Sequence, residues 1–243
     1  MFTALLPLKD LVQAKSRLAG LLRPSERRAL AQAMVEDVLQ VLTGHDGIGR
    51  VVIVSDDPGA RLLARNYGAC CWTERELGCS GLNAVLQCAS ERLYAEGAGR
   101  VLVLHADLPL ICHNDLSAVV EAPENALVLG PDRHGTGTNL VAARAALLPR
   151  FRFGAGSYAR YIAAARRANV PVYPLRRPGI GLDVDEPRDL AALLDALHDH
   201  SGGATAQLLH HGGPGSRVRR ALAGTAFGDG RDFEHDGTGD GTC

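Results

Sequence analysis

Three basic side chains crowd a short loop that follows the first apolar segment of the chain. Lys9, Lys15 and Arg17 fall within a stretch of nine residues, shortly after the apolar run at residues 2–6. A cationic loop at the carboxyl end of a strand can bind phosphates, and a departing pyrophosphate needs its developing charge neutralised. The loop therefore indicates a triphosphate site. The alternative is a solvated basic loop without a ligand.

Two acidic segments carry candidate ligands for a divalent cation. Asp107 comes shortly after the apolar run at residues 101–104. Asp183 and Asp185 are two residues apart in a segment expected to be extended, so the carboxylates of these two residues lie on the same side of that segment. Mg²⁺ binds a few carboxylate oxygens and keeps phosphate oxygens and waters as its other ligands, so these residues predict a magnesium site. The alternatives are a turn or capping role for Asp107, and an N-cap role for Asp185 ahead of Pro187.

Glycine-rich segments mark a third candidate site. Residues 135–139 read Gly-Thr-Gly-Thr-Asn, and residues 153–158 read Phe-Gly-Ala-Gly-Ser-Tyr. Glycines let a backbone approach a ligand closely, and the free N–H groups of a helix predicted over 157–167 form an anion site. Such a site suits an acceptor that carries a phosphate or a carboxylate. Alternatively, Ser157 is a plain helix cap and both glycine runs are turns.

Apolar runs and helical periods define the elements that must position these residues. Short apolar runs alternate with longer segments of helical period, which predicts an α/β fold with helices covering a sheet. Helices are expected from Pro24, from about Gly81, over 157–167 and from Pro187. The expected strands are 2–6, 51–55, 69–73, 101–104, 126–129, 139–142 and 172–175.

The composition narrows the class of protein. A chain of 243 residues that is 46% hydrophobic can bury the core of one globular domain. A net charge of -1 provides no overall field for nucleic acid or an anionic membrane, so we expect neither as a partner. The sequence contains no membrane-spanning apolar run and its start does not resemble a secretory signal, so a cytoplasmic location is expected.

The cysteines and the C-terminal segment complete the organisation of the chain. Six scattered cysteines form no CxxC pair, so we expect them to be reduced and mostly buried, without a disulfide framework or a zinc site. Residues 201–243 contain eleven glycines and few large apolar side chains, which predicts a mostly disordered tail. The catalytic domain is therefore expected to span residues 1–200.

Six motifs, in this order, resemble one known family, the 2-phospho-L-lactate guanylyltransferases that act in making the deazaflavin coenzyme F-420. The resemblance covers residues 1–197. The motifs are Pro7 with Ala14-Lys15-Ser16-Arg17-Leu18, Gly81-Leu82-Asn83, Asp107-Leu108-Pro109, Asp132 with Gly137-Thr138-Asn139, Phe153-Gly154 with Gly156-Ser157, and Leu182-Asp183-Val184-Asp185.

The resemblance implies a GT-A-type nucleotidyltransferase fold, with a Rossmann-like mixed sheet and helices on both faces. It implies that Mg²⁺ is held by Asp107, Asp183 and Asp185. It places the phosphorylated acid at Thr138, Gly154 and Ser157, and gives catalytic roles to Lys15, Arg17 and Asp107. It places the nucleotide at Pro7, Lys9, Lys15, Ser16, Arg17 and Asn83, with Asn83 in the guanine region.

The implied reaction transfers GMP from GTP to the phosphate of a small acid and releases pyrophosphate. Candidate acceptors are 2-phospho-L-lactate, phosphoenolpyruvate and 3-phospho-D-glycerate, and a homodimer is compatible with the family. Tyr161 departs from the histidine that related sequences tend to have there, which predicts an altered acceptor preference. The alternatives are a non-catalytic nucleotide-binding protein and a molybdopterin or sugar-type nucleotidyltransferase. The absence of glycine from residues 6–18 disfavours the molybdopterin and sugar-type enzymes.

Overall fold

Seven strands form the sheet, and each coincides with a run predicted from its apolar residues. The structure is a computed structural model that describes residues 1–11, 14–197, 202–211, 215–216 and 218–221. The strands are β1 (Phe2–Pro7), β2 (Ile48–Val54), β3 (Cys70–Trp72), β4 (Arg100–Leu104), β5 (Leu127–Pro131), β6 (Thr138–Arg144) and β7 (Val172–Pro174).

The helices begin where the sequence signals a start. Three of the four predicted helices begin at the expected residue, and the fourth begins one residue after Gly81. Two of the four begin with a proline, which is tolerated in the first turn because the N–H that proline lacks would have no partner there. Among the helices of the described chain, none is both long and apolar enough to cross a membrane. The helices are α1 (Pro24–Thr43), α2 (Pro58–Asn66), α3 (Glu74–Leu77), α4 (Leu82–Ala95), α5 (His113–Val120), α6 (Ser157–Arg167), α7 (Pro178–Gly181), α8 (Pro187–Ala196) and α9 (Ala204–His211).

The sheet is mixed, as predicted, with the strand order β3-β2-β1-β4-β6-β5-β7. Strand β6 runs antiparallel to both β4 and β5, and the other pairs are parallel. The chain moves outward from β1 through β2 to β3 and then returns to place β4 on the other side of β1. This reversal creates a crevice at the carboxyl ends of β1 and β4, where open α/β sheets bind their ligands.

Alternating side chains of the strands divide the core between the two faces of the sheet. Leu102 and Leu104 of β4 pack in one apolar cluster with residues of α1, α2 and α5, whereas Val101 and Val103 pack in another with residues of α4 and α6. Each fully buried side chain of this size contributes about 1.5–3 kcal/mol. The predicted arrangement of helices on both faces is therefore confirmed.

A third apolar cluster extends past residue 200, the predicted end of the domain. Leu209 of α9 packs with Met34 of α1, Leu193 of α8 and Val184 of the acidic segment at residues 183–185. Helix α9 lies within the segment predicted to be disordered, so that prediction is wrong for Ala204–His211. The glycine count described the tail as a whole and obscured a short stretch whose apolar side chains share one face. Residues 222–243 lie outside the described part of the chain.

A buried carboxylate on α1 caps the start of α9. Asp37 accepts hydrogen bonds from the backbone N–H of Ala204 at 2.5 Å and of Thr205 at 3.0 Å. A helix start leaves N–H groups without partners, and a carboxylate there also interacts favourably with the helix dipole. Burial raises the pKa of Asp37, while the hydrogen bonds from the α9 backbone oppose the rise.

We expect Asp37→Ala to lower the free energy of unfolding by about 1–2 kcal/mol, the usual loss for a helix N-cap. The change should also accelerate hydrogen exchange at the amides of α9. Urea denaturation and exchange mass spectrometry measure the two effects. Glu36→Ala, which removes the neighbouring carboxylate, is the control and should change stability by less than about 0.5 kcal/mol. Unchanged α9 exchange in Asp37→Ala would contradict the capping role.

The cysteines differ from the prediction. Cys79 and Cys88 are joined in a disulfide that connects the loop after α3 to α4. Cys70 and Cys71 are half-buried free thiols, and Cys112 is exposed. The prediction of reduced cysteines is therefore wrong for Cys79 and Cys88 and holds for Cys70, Cys71 and Cys112, whereas the prediction that the cysteines are mostly buried is wrong for the described ones. A separation of nine residues gave no pairing signal, because only the turn into α4 brings the two side chains together. Cys243 lies outside the described residues.

Candidate active site

Three loops converge at the carboxyl ends of β1 and β4. The basic loop follows β1, and Asp107 follows β4, its parallel neighbour in the sheet. The backbone N–H of Val184 donates to the backbone oxygen of Asp107 at 3.2 Å, which brings the acidic segment to the same place. The structure therefore brings the basic loop, Asp107 and the segment that carries Asp183 and Asp185 to one edge of the sheet.

Lys15 lies between two of the predicted carboxylates. Its Nζ donates to Oδ2 of Asp107 at 2.7 Å and to Oδ1 of Asp185 at 2.8 Å, and its side chain is only 8% exposed. The backbone of Lys15 is left-handed, with φ of 57°. That conformation costs a non-glycine residue of order 1 kcal/mol or more. The surrounding loop therefore holds the backbone of Lys15 in an unfavourable conformation. That conformation places the ammonium of Lys15 between the carboxylates of Asp107 and Asp185.

Burial and neighbouring charges have opposite effects on the pKa of Lys15 and on the pKa of Asp107. Burial alone would lower the pKa of Lys15, but the charges of Asp107 and Asp185 outweigh it and raise that pKa. Burial would likewise raise the pKa of Asp107, but Lys15, with a smaller contribution from His105, holds it below its ordinary value. Both groups are therefore charged at neutral pH.

Asp183 lies in a different environment. Its Oδ1 accepts a hydrogen bond from Nδ2 of Asn139 at 3.1 Å. Burial, together with the negative charges of Asp107 and Asp185, raises the pKa of Asp183 despite this hydrogen bond. A cation near Asp183 would offset that repulsion.

Asn139 is a positioning residue to which the sequence assigned no role. It is buried, and its amide also donates to the backbone oxygen of Ile180 at 3.0 Å. One side chain of β6 thus holds both Asp183 and the chain that leads to it. The signal available in the sequence was its place directly after Thr138 in a glycine-containing motif.

Asp185 is not the N-cap of α8, so that alternative is wrong. The N-cap residue is Glu186. Oδ2 of Asp189 accepts from the backbone N–H groups of Glu186 at 2.7 Å and Asp185 at 3.0 Å, and Oδ1 pairs with Arg133. Asp189, two residues inside the helix from Pro187, therefore accepts from the backbone at the start of α8, and the Asp185 carboxylate pairs with Lys15 instead.

The donor chemistry of the acidic residues fits a magnesium ion in part. Oδ1 of Asp107 is buried and has no hydrogen-bond partner, and a buried carboxylate oxygen requires one. Hard carboxylate oxygens are the ligands that Mg²⁺ prefers. Within the described residues, however, no three His, Cys, Asp or Glu side chains lie close enough together to hold a metal. The ammonium of Lys15, rather than a third carboxylate, lies between Asp107 and Asp185.

A pocket of about 520 Å³ opens beside Lys15. Pro7, Lys9 and Ser16 line it as well, so these three of the predicted nucleotide residues border one cavity with Lys15 and Asp107. The apolar side chains that line the cavity include Leu11, Ala31, Met34, Val35 and Leu82. A cavity with a charged floor and an apolar wall can accommodate a phosphate chain and a planar base.

Arg17 and Asn83 are placed differently from the other predicted nucleotide residues. The Arg17 side chain is 69% exposed and pairs with Glu186 at 3.2 Å. Asn83 uses both sides of its amide on the backbone of Phe153, with Oδ1 accepting at 2.7 Å and Nδ2 donating at 3.1 Å. The guanine contact of Asn83 therefore stays a prediction, and its observed role is to hold a loop.

The three residues predicted to bind the acid lie together. Oγ of Ser157 and Oγ1 of Thr138 are 3.1 Å apart, and both residues are buried. The backbone N–H of Ser157 donates to the oxygen of Gly154 at 3.0 Å. The N-cap of α6 is Gly156, so the alternative that Ser157 is the cap is wrong.

His105 and Tyr161 connect this region to the rest of the site. The backbone N–H of His105 donates to the oxygen of Asn139 at 3.0 Å, and its ring lies 5.0 Å from that of Phe153. Tyr161 is fully buried, and its hydroxyl accepts from the backbone N–H of Arg152 at 2.9 Å. Any influence of Tyr161 on the acceptor must therefore pass through the loop that begins at Arg152.

Comparison with known proteins identifies the family of this site. Residues 2–211 match the family described as "Guanylyl transferase CofC like". The chain belongs to this family. The protein is therefore an enzyme, a guanylyltransferase, and the family resemblance inferred from its motifs is confirmed. The matched range ends at the last residue of α9, which agrees with the packing of that helix on the domain.

Curated relatives support the assignment over most of their length. The phosphoenolpyruvate guanylyltransferase of Sphaerobacter thermophilus is 38% identical over 205 residues, covering 82% of this chain and 98% of the relative. That of Rubrobacter xylanophilus is 39% identical over 192 residues, covering 78% of this chain and 92% of the relative.

The fold is also that of solved nucleotidyltransferases. A crystal structure described as a nucleotide-diphospho-sugar transferase from Desulfovibrio desulfuricans superposes with a TM-score of 0.76 and 20% identity, covering 90% of this guanylyltransferase and 98% of that chain. The GT-A-like fold predicted from the motifs is therefore confirmed.

Proposed function

We propose that this guanylyltransferase transfers GMP from GTP to the phosphate of a small phosphorylated acid, with phosphoenolpyruvate as the first candidate. The observation that carries the proposal is the arrangement of Lys15, Asp107 and Asp185 on the floor of the pocket. The curated relatives are named for phosphoenolpyruvate, which favours that acceptor over 2-phospho-L-lactate and 3-phospho-D-glycerate.

The reaction is an in-line displacement at the α-phosphorus of GTP. An oxygen of the acceptor phosphate forms the new P–O bond, and the bond between the α-phosphorus and the bridging oxygen breaks, so pyrophosphate leaves with that electron pair. A phosphate dianion is already a competent nucleophile at neutral pH, so no protein base has to remove a proton. Catalysis then depends on positioning and on neutralising charge.

The basic residues have separate roles in this proposal. Lys15 is the buried cation and neutralises charge next to the reacting phosphorus. Lys9 and Arg17, which are more exposed, attract and orient the outer phosphates. Ser16 and Pro7 shape the pocket around the triphosphate. The apolar wall at Met34 and Leu82 packs against the face of the base.

The family resemblance implies that Asp107, Asp183 and Asp185 would hold Mg²⁺, which would supply positive charge against the phosphate oxygens. In the structure, with the ammonium of Lys15 between Asp107 and Asp185, these three carboxylates do not by themselves form such a site. The unpartnered Oδ1 of Asp107 and the raised pKa of Asp183 both support a cation at this place. Asn139 orients Asp183, and Asp189 orients the backbone of Asp185.

Thr138, Gly154 and Ser157 bind the acid in this proposal. The paired hydroxyls of Thr138 and Ser157 offer hydrogen bonds to the acid, whereas the backbone N–H groups of Ser157 and Tyr158 already donate to the backbone oxygens of Gly154 and Thr136. The product, a diphosphate diester that joins guanosine to the acid, is of the kind consumed in making the deazaflavin coenzyme F-420.

Pyrophosphate release tests the proposal directly. The purified enzyme is given Mg²⁺, GTP and each of the three acids separately, and then ATP, CTP or UTP replaces GTP. We expect release with GTP and phosphoenolpyruvate, and little with the other nucleotides. Silence with every acid and nucleotide, in folded protein, would overturn the proposed function. A further reaction supplies CTP and a sugar phosphate, and release in that reaction alone would favour the sugar-type alternative.

A further inference from the structure

Side chains from two helices hold the backbone of the loop formed by residues 152–156. From α4, Asn83 engages both backbone groups of Phe153, accepting from the N–H at 2.7 Å and donating to the oxygen at 3.1 Å. An amide that is used on both sides fixes the position and the orientation of the peptide it contacts.

From α6, two consecutive residues hold the same loop. The buried hydroxyl of Tyr161 accepts from the backbone N–H of Arg152 at 2.9 Å. The guanidinium of Arg160 donates to the backbone oxygens of Ala155 at 2.6 Å and Arg152 at 2.8 Å. The loop is therefore held on both sides of Gly154.

Aromatic packing anchors the start of this loop. The ring of Phe153 stacks on that of Phe151 with centroids 6.0 Å apart and meets the edge of Tyr161 at 5.6 Å. It also lies 5.0 Å from His105, which comes shortly before Asp107. The loop is thereby attached to the segment that carries the central carboxylate.

The loop itself has little intrinsic order. Gly154 has φ of 115° and Gly156 has φ of 67°, conformations that are readily open only to glycine. Glycine loses the most conformational freedom on ordering, so a ligand that had to order this loop would bind more weakly. Contacts that order the loop beforehand remove that loss.

We propose that Asn83, Arg160 and Tyr161 form a clamp that holds residues 152–156 in the conformation that binds the acid. They are positioning residues and determine the affinity for the acceptor rather than for the nucleotide. The inference rests on the proposed function, in which Gly154 and Ser157 contact the acid. It also gives Asn83 a role in binding the acid, in place of the guanine contact implied by the family resemblance.

Two substitutions separate these roles. Tyr161→Phe removes only the hydroxyl that accepts from Arg152, and Asn83→Asp removes the donor to the Phe153 oxygen and sets a carboxylate against it. Loss of a hydrogen bond of this kind corresponds to a change in affinity of about five- to tenfold. We therefore expect the KM for the acid to rise by about five- to tenfold in each variant, with the KM for GTP within about twofold of wild type.

The measurement is steady-state pyrophosphate release in which GTP and the acid are varied separately. Tyr94→Phe is the control, because it removes an exposed tyrosine hydroxyl from α4 and leaves the Arg152 contact in place. It should keep both KM values near those of wild type. Thermal unfolding of each variant verifies that it is folded. If Tyr161→Phe does not fold, the acid KM of Asn83→Asp tests the proposal.

The outcomes separate the clamp from the proposed function. An active wild type whose variants keep the acid KM unchanged would overturn the clamp alone. An increase in the GTP KM of Asn83→Asp without an increase in the acid KM would also overturn it and would restore the guanine contact. A wild type that is silent with every acid would overturn the proposed function and, with it, the acceptor role of the clamp.

Discussion

Replacing Asp107 by asparagine is expected to lower turnover by about a thousandfold, which corresponds to about 4 kcal/mol in the barrier. The substitution preserves the shape of the side chain and leaves an oxygen that can accept from Lys15. It removes the negative charge that lies 2.7 Å from that ammonium and that would attract a divalent cation. Pyrophosphate release under saturating substrates measures the loss.

Asp56→Asn is the matched control for this prediction. Asp56 also follows a parallel strand, β2, but it is exposed and accepts from the backbone N–H of Glu74 at 3.1 Å. Its substitution should leave turnover within about twofold of wild type, as expected for a surface change. Near-normal turnover in a folded Asp107→Asn enzyme would remove Asp107 from the proposed cation site.

Replacing Lys15 by methionine is expected to lower turnover by about a hundred- to a thousandfold, the usual loss for one charge-stabilising group in an active site. The same change should increase the stabilisation of the nucleotide-free protein by Mg²⁺. In the resting structure the ammonium bridges Asp107 and Asp185 and neutralises both. Without it, two carboxylates face each other, and a cation that binds the folded state raises the melting temperature.

Thermal unfolding with increasing Mg²⁺, in the absence of GTP, tests the second effect without depending on activity. Arg17→Met is the comparison variant, because Arg17 is exposed and pairs with Glu186 rather than with the proposed cation ligands. Its Mg²⁺ response should equal that of wild type. If Mg²⁺ raises the melting temperature of Lys15→Met no more than that of wild type, Lys15 does not occupy the place of a cation.

Much of the fold could be predicted from local signals. The central strands, such as β4 and β5, coincide with apolar runs because strands buried on both faces need apolar side chains at successive positions. The helix starts at Pro24 and Pro187 follow from the fixed φ of proline. The position of the candidate site could also be predicted from the sequence, because residues that follow the carboxyl ends of adjacent parallel strands must meet at one edge of the sheet.

Other features depended on contacts between distant parts of the chain. Lys15 is separated by 92 residues from Asp107 and by 170 from Asp185, and no local pattern indicates that its ammonium bridges them. The burial of Tyr161, the use of Asn83 on a backbone and the docking of α9 on α1 are of the same kind.

The sequence by itself determined the strands, four of the helices, the family and most of the candidate site residues, because these follow from residue type, period and order along the chain. The tertiary structure decided the partner of each side chain: Lys15 for Asp107, Asn139 for Asp183, and Asp189 for the start of α8. The physical reason is that a partner depends on which strands are neighbours and how the helices pack over them. Those relations arise only when the whole core has formed.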